Sequence, residues 1–139
     1  MTNNNNNDNR ILLVDDELDI ITVFTQALED NGFEVDAFND PIQALSGFKS
    51  GSYDLALIDY KMPNMNGFEL YREIRKIDER VKVCFITAFE VYHEELEKKF
   101  HSNLNTSPQH KQEVDVKCFI QKPIDIDELV KRIKEELNS

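Results

Sequence analysis

Short apolar runs alternate along this chain with segments of helical periodicity, and this alternation restricts the folds open to it. Strands are predicted at 10–14, 33–38, 55–58, 81–86 and 117–120. Each run is followed by apolar residues spaced three and four apart, which is typical of an amphipathic helix. Five strands alternating with five helices predict an α/β fold, in which helices cover both faces of a five-stranded parallel sheet.

Turn and cap residues mark where the helices begin and end. Asn31-Gly32 ends the first helix, and Asp40-Pro41 begins the second, which Gly51 is expected to close. A fourth helix is predicted at 91–101, followed by a long polar loop at 102–113. Residues 1–9 form an Asn-rich tail that is expected to be disordered, which leaves one folded domain at 10–139.

The charge balance excludes several classes of partner. The 139 residues include 16 basic and 27 acidic side chains, which gives a net charge of −11. This charge repels phosphate backbones and anionic membranes, so neither nucleic acid nor membrane is an expected partner. No apolar run reaches the roughly 20 residues that cross a bilayer, and the polar N-terminus does not resemble a signal peptide. A cytoplasmic location is therefore expected.

Two cysteines, Cys84 and Cys118, each lie inside an apolar run. In a cytoplasmic chain such residues are expected to be reduced thiols that serve as small core residues. A metal site would need more ligands at closer spacing.

Polar residues follow four of the predicted strands. The first strand is followed by Asp15 and Asp16, the third by Asp59, the fourth by Thr87 and the fifth by Lys122. The working crevice of an open α/β sheet lies beyond the carboxyl ends of its strands. These side chains are therefore expected to converge on one edge of the sheet.

The charges of this group predict a bound metal ion. Three carboxylates against one lysine would repel one another strongly, and a divalent cation would balance the charges to zero. Oxygen ligands suit Mg²⁺, and Mg²⁺ beside a lysine and a hydroxyl is typical of phosphoryl transfer. Asp59 is the expected nucleophile, with Asp16 in direct contact with the ion and Asp15 contacting it through water.

Each of these residues also has a structural explanation. Acids that follow strands often cap helices or form turns, and a hydroxyl or a lysine before Pro123 has little meaning alone. Their joint occurrence at the strand ends is what favours a functional site.

The order Asp15-Asp16, Asp59, Thr87, Lys122-Pro123, with Lys61-Met62-Pro63-Asn64-Met65-Asn66-Gly67 after the acceptor, resembles the CheY-like receiver domain of two-component response regulators. This resemblance implies a flavodoxin-like fold with strand order 2-1-3-4-5. It also implies that the domain is a signalling switch rather than an enzyme. A histidine kinase or a phosphotransfer protein would phosphorylate Asp59, with Mg²⁺ held by Asp15 and Asp16.

The resemblance assigns further roles along the motif. The backbone carbonyl of Lys61 would complete the metal shell, and Thr87 and Lys122 would bind the phosphoryl group. Phe119 would turn inward when Thr87 shifts. Lys61 and Phe89 would flank the approach of hydrolytic water, so a bulky Phe89 predicts slow self-dephosphorylation.

A receiver-fold adaptor that acts without phosphorylation is the main alternative. A phosphatase of the haloacid-dehalogenase kind is disfavoured, because Asp15-Asp16-Glu17 lacks the Asp-x-Asp arrangement which that mechanism requires. The residues after Lys122 are used by the last helix, so the chain is expected to be a stand-alone receiver or part of a longer regulator. The sequence does not identify its downstream target.

Overall fold

The computed structural model of the chain describes residues 9–88 and 118–138. Its five strands form one parallel sheet of order β2-β1-β3-β4-β5, which confirms the predicted fold. The strands are β1 (Arg10–Val14), β2 (Glu34–Phe38), β3 (Leu55–Asp59), β4 (Lys82–Ala88) and β5 (Cys118–Lys122). The described helices are α1 (Leu18–Asp30), α2 (Pro41–Ser46), α3 (Gly67–Ile77) and α4 (Ile126–Leu137).

Several predictions fall outside the described residues. These are the helix at 91–101, the loop at 102–113, the role of Phe89 and almost all of the Asn-rich tail. The described part of the chain therefore contains four of the five predicted helices. Within it, no helix is long and apolar enough to cross a membrane.

Helices cover the sheet on both faces, which explains why its strands are continuous apolar runs. Successive strand residues point to opposite faces. Leu12, Ile58 and Phe85 pack with α2 and α3, whereas Leu13 and Leu57 pack with α1 and α4. The two resulting cores leave the carboxyl ends of the strands together at one edge.

Local signals set most helix boundaries. The Asp40 side chain accepts a hydrogen bond from the Ile42 amide at 2.9 Å, and Pro41 follows it at the start of α2. Helix α2 is shorter than predicted, because it ends at Ser46 with Gly47 as its C-cap rather than continuing to Gly51.

The prediction of two reduced thiols is wrong, because the structure joins Cys84 and Cys118 in a disulfide. The two residues are register partners on the neighbouring strands β4 and β5, with their Cα atoms 4.6 Å apart. The linear spacing of the cysteines carries no information about this register, so the sequence pattern could not reveal the pairing.

Candidate functional site

Three carboxylates gather at the carboxyl ends of β1 and β3, which are neighbours in the sheet. One oxygen each from Asp15, Asp16 and Asp59 lies within 4.8 Å of the other two. Asp15 is fully buried, Asp59 is 4% exposed, and Asp16 is exposed. The structure thus brings together the acidic residues that the sequence singled out.

Asp15 has one satisfied and one unsatisfied oxygen. Its Oδ1 accepts a hydrogen bond from the Glu17 amide at 2.9 Å. Its buried Oδ2 has no hydrogen-bond partner among the described residues, although Lys122 Nζ lies 3.4 Å away as an ionic neighbour. Burial raises the pKa of Asp15 above its usual value, and the contacts with Glu17 and Lys122 only partly oppose this.

Asp59 is held in an environment that disfavours its charge. Burial raises the pKa of Asp59 to about 7, and the charge of Asp15 and a hydrogen bond with Asp16 act in the same direction. Lys122 opposes these effects without cancelling them. Without a further cation, the carboxyl group would hold its proton over a large part of the neutral range.

Lys122 lies between the two buried acids. Its Nζ is 3.4 Å from Asp15 Oδ2, 3.4 Å from Asp59 Oδ1 and 3.9 Å from Glu17 Oε1. Burial lowers the pKa of Lys122, but the charges of Asp59, Asp15 and Glu17 outweigh that effect and leave it raised. The lysine therefore stays charged.

Glu17 is a member of the site that the sequence reasoning missed. The acidic run Asp15-Asp16-Glu17 is the signal in the sequence that points to it. With Glu17 included, three carboxylates lie within 4 Å of Lys122 Nζ, and the need for a further cation becomes stronger.

The loop after β3 is fixed by backbone contacts. The Tyr60 amide donates to the Ile86 carbonyl at 2.8 Å, and the Gly67 amide donates to the Tyr60 carbonyl at 2.6 Å. A Cβ atom on Gly67 would lie 2.6 Å from the Asp59 carbonyl oxygen, so only glycine permits this approach. Asn64 has a φ of 72°, where the Met65 amide bonds the Pro63 carbonyl in a γ-turn.

These residues fit a Mg²⁺ ion. Carboxylate oxygens are hard ligands of the kind that Mg²⁺ prefers, and the buried Asp15 Oδ2 without a hydrogen bond is an acceptor that a cation would satisfy. Lys61 is exposed and lies in the loop after β3, two residues beyond Asp59.

The sequence matches the response regulator receiver domain family over residues 11–134. This chain belongs to that family. The receiver is 32% identical over 140 residues to the hybrid signal transduction histidine kinase B of Dictyostelium discoideum. The aligned region covers 93% of this chain and 7% of that protein. It is 28% identical to sporulation initiation phosphotransferase F of Bacillus subtilis, and the aligned region covers 92% of this chain and 93% of that protein.

Solved structures agree with this assignment. A CheY-like receiver domain from Methanospirillum hungatei is 28% identical, with a TM-score of 0.76 and coverage of 94% of both chains. Response regulator TrrA of Thermotoga maritima, solved in complex with Mg²⁺ and BeF, is 31% identical, with a TM-score of 0.70 and coverage of 91% of this chain and 97% of that chain. The receiver spans only part of some relatives, for example 34% of the CpxR homolog of Haemophilus influenzae.

Two further residues that the sequence singled out, Thr87 and Phe119, lie at the end of β4 and in β5 of the receiver. Thr87 is 1% exposed at the carboxyl end of β4, one residue before the register pair Ala88 and Lys122. Phe119 is half-buried, and its ring stacks on that of Phe85 with centroids 5.8 Å apart. Thr87 thus lies on the strand between Asp59 and Lys122, whereas Phe119 lies further back along β5.

Receiver domains are phosphoryl-accepting signalling domains whose partners are histidine kinases or phosphotransfer proteins. As a member of this family, the chain is a receiver domain of two-component signalling.

Proposed function

We propose that this receiver accepts a phosphoryl group on Asp59 from a phosphohistidine of a histidine kinase or a phosphotransfer protein, in a reaction that depends on Mg²⁺. One observation carries the proposal: Lys122 Nζ lies 3.4 Å from both buried carboxylates, Asp15 and Asp59, in a cluster of oxygen ligands. Buried polar atoms are normally hydrogen-bonded, whereas the buried Asp15 Oδ2 has no such partner among the described residues.

The chemical step needs an ionised Asp59. Its carboxylate oxygen attacks phosphorus, the P–N bond to the donor imidazole breaks, and the imidazole nitrogen keeps the electron pair and takes a proton. The product is an acyl phosphate. Lys122 is positioned to neutralise a phosphoryl oxygen, which is the main requirement of this reaction class.

The proposed magnesium ligands are Asp15, Asp16, Asp59 and the backbone carbonyl of Lys61. When bound, Mg²⁺ would neutralise charge on the phosphoryl oxygens and favour the ionised form of Asp59. The Mg²⁺–BeF complex of TrrA, a protein of the same fold, supports a Mg²⁺ site in this receiver.

The output is a change in the contacts at the end of the sheet. The new phosphoryl oxygens offer acceptors to Thr87 and Lys122, which we propose move toward them. Phe119 then repacks from its position on Phe85, which gives a downstream protein a surface that differs between the two states. Cytoplasmic location and the absence of nucleic-acid and membrane binding stay predictions from the sequence.

Incubation of the full chain with acetyl phosphate and Mg²⁺, followed by intact mass spectrometry, tests the proposal. We expect one phosphoryl adduct, which is lost in Asp59→Asn and in the presence of EDTA. Asp54→Asn is the matched control, because Asp54 lies just before the opposite end of β3 and accepts a hydrogen bond from the Arg10 amide. An adduct that persists in Asp59→Asn would overturn the site, and a wild-type chain without any adduct would favour the phosphorylation-independent adaptor.

A further inference from the structure

The disulfide between Cys84 and Cys118 lies on the sheet face opposite Phe85 and Phe119. Both cysteines are buried in the core that α1 and α4 cover. Their Cα separation of 4.6 Å lies within the range that a disulfide bridges without backbone movement. The strand register therefore presents the two sulfurs to each other whether or not they are bonded.

The surroundings of Cys118 favour thiol chemistry over plain core packing. Arg132 in α4 places Nη2 at 3.7 Å from Cys118 Sγ, where its N–H donates to the sulfur, and it also donates to the Phe119 carbonyl at 3.3 Å. A guanidinium beside a sulfur stabilises the thiolate, which is the reactive form of cysteine. Cys118 is thus the expected attacking residue of the pair.

A metal site is the competing interpretation of this cluster. A carboxylate oxygen of Glu136 lies within 4.8 Å of both sulfurs, which makes three potential ligands. However, Arg132 already contacts one of the two sulfurs. The guanidinium of Arg132 beside Cys118 Sγ disfavours a metal cation at the same sulfur, so the local charges favour a disulfide.

We propose that Cys84 and Cys118 are a reversible dithiol–disulfide pair, a redox modification site that joins β4 to β5 behind the phosphoryl-transfer site. The bond lies three residues before Thr87 on β4 and four residues before Lys122 on β5. It therefore connects the two strands whose polar residues bind the phosphoryl group.

A peroxide is the oxidant whose size suits a buried pair. The Cys118 thiolate attacks a peroxide oxygen, the O–O bond breaks, and the departing hydroxide takes up a proton to become water, which leaves a sulfenic acid on Cys118. The Cys84 thiolate then attacks that sulfur, the S–O bond breaks, and the second hydroxide is protonated to water. For hydrogen peroxide, two thiols and one oxidant give one disulfide and two waters. A dithiol reverses the reaction by exchange.

The effect on signalling rests on the proposed function, whereas the disulfide itself does not. A covalent tie between β4 and β5 limits their relative displacement. Thr87 and Lys122 must close on an incoming phosphoryl group from these two strands, so the oxidised receiver is expected to be phosphorylated more slowly than the reduced one.

The first experiment detects the bond. The full chain is reduced, treated with hydrogen peroxide, denatured in N-ethylmaleimide and analysed by intact mass. We expect loss of two hydrogen atoms with no maleimide added, return to two maleimide adducts after dithiothreitol under native conditions, and a melting temperature about 10 °C higher in the oxidised form. Two maleimide adducts after peroxide, reduction only after unfolding, or one tightly bound Zn²⁺ per chain that blocks both thiols would each overturn the proposal.

Two sets of variants strengthen this experiment. Cys84→Ala and Cys118→Ala should each lose the bond, and the comparison of reduced with oxidised wild type stands even where a variant fails to fold. Arg132→Met should shift the pH profile of the oxidation rate to higher pH, because less thiolate forms at a given pH without the guanidinium. A pH profile that does not move would show that Arg132 has only a packing role and would overturn its assignment.

The second experiment measures the coupling. Phosphorylation by acetyl phosphate and Mg²⁺ should be at least threefold slower in the oxidised wild type, and peroxide should have no effect on a Cys84→Ala/Cys118→Ala double variant. Equal rates in the two redox states would overturn the coupling. Complete absence of phosphorylation would instead contradict the proposed function, while the mass measurement would still decide the fate of the disulfide.

Discussion

Lys122 Nζ lies 3.4 Å from Asp59 Oδ1, although the two residues come from strands that are not neighbours in the sheet. The lysine side chain reaches over the end of β4, which separates β3 from β5. This reach places an ammonium group beside the buried carboxyl group of Asp59.

Lys122→Ala should slow phosphorylation by acetyl phosphate at least tenfold, a barrier increase of about 1.4 kcal/mol or more. The variant loses the ammonium group that neutralises a phosphoryl oxygen and that favours the ionised form of Asp59. Lys49→Ala, at an exposed lysine outside the site, is the control. An unchanged rate in Lys122→Ala would remove the lysine from the mechanism.

The metal-free receiver should become less stable as the pH rises from 5 to 8. The folded state holds the Asp59 proton up to a pKa of about 7, whereas the usual value is 3.8. Between these two values the folded state binds more protons than the unfolded state, so the free energy of unfolding falls with pH. Urea unfolding in EDTA should show a loss on the order of 2–3 kcal/mol attributable to this group.

Asp59→Asn supplies the comparison for that measurement. Its neutral amide imitates the protonated acid, so the variant should show a flatter pH profile and exceed the wild type in stability at pH 8. The exposed Asp19→Asn should keep the wild-type profile. A wild-type profile as flat as that of Asp59→Asn would contradict the raised pKa.

Magnesium should stabilise the receiver, and more so at pH 8 than at pH 5, because protons compete with the ion for the carboxylates. At a hundredfold excess over its dissociation constant, a ligand of the folded state adds about 2.7 kcal/mol. Thermal melts with Mg²⁺ and with EDTA measure this difference. Asp16→Asn, which keeps the buried acids, should lose most of it, and a stabilisation that survives in Asp16→Asn would show that the ion binds elsewhere.

Gly67→Ala should destabilise the receiver by about 1–3 kcal/mol, a typical cost of forced overpacking. The new Cβ would meet the Asp59 carbonyl oxygen at 2.6 Å and the Tyr60 Cα at 2.8 Å, and both are backbone atoms. Phosphorylation should also slow, because α3 can only make room by displacing the end of β3. Gly47→Ala is the matched control, since its nearest atom is the Gln43 carbonyl oxygen at 3.8 Å. Equal urea midpoints for the two variants would contradict this account.

Asn66→Ala should cost about 1 kcal/mol of unfolding free energy. The Asn66 side chain accepts from the Glu69 amide at 2.8 Å, and the Glu69 side chain accepts from the Asn66 amide at 2.9 Å, which forms a capping box at the start of α3. Asn66→Asp keeps the acceptor and should retain most of the stability. If the alanine and aspartate variants unfold alike, the cap contributes nothing.

The sequence predicted the elements and the strand ends well, because both follow from local patterns. Continuous apolar runs indicated strands covered on both faces, and their polar ends located Asp15, Asp16, Asp59 and Lys122 at one edge. The strand order came from the family resemblance rather than from these patterns.

What the sequence did not predict depends on contacts between distant segments. The bond between Cys84 and Cys118 depends on the register of two strands, and the place of Glu17 beside Lys122 depends on how a lysine 105 residues later folds back over the sheet. The Asn66–Glu69 capping box, by contrast, is a local feature that the Asn-x-x-Glu pattern of the sequence indicates.

The position of β5 at the border of the sheet has one more consequence. Among the described strands, β5 pairs only with β4, and border strands detach more readily than central ones. In the reduced receiver, where no Cys84–Cys118 bond ties β5 to β4, detachment of β5 would carry Lys122 away. The buried acids near the middle of the sheet would then lose their counter-charge while the rest of the interior is still intact. Competence to take up phosphate would then report the attachment of this one border strand, and it would disappear at temperatures well below the global melt.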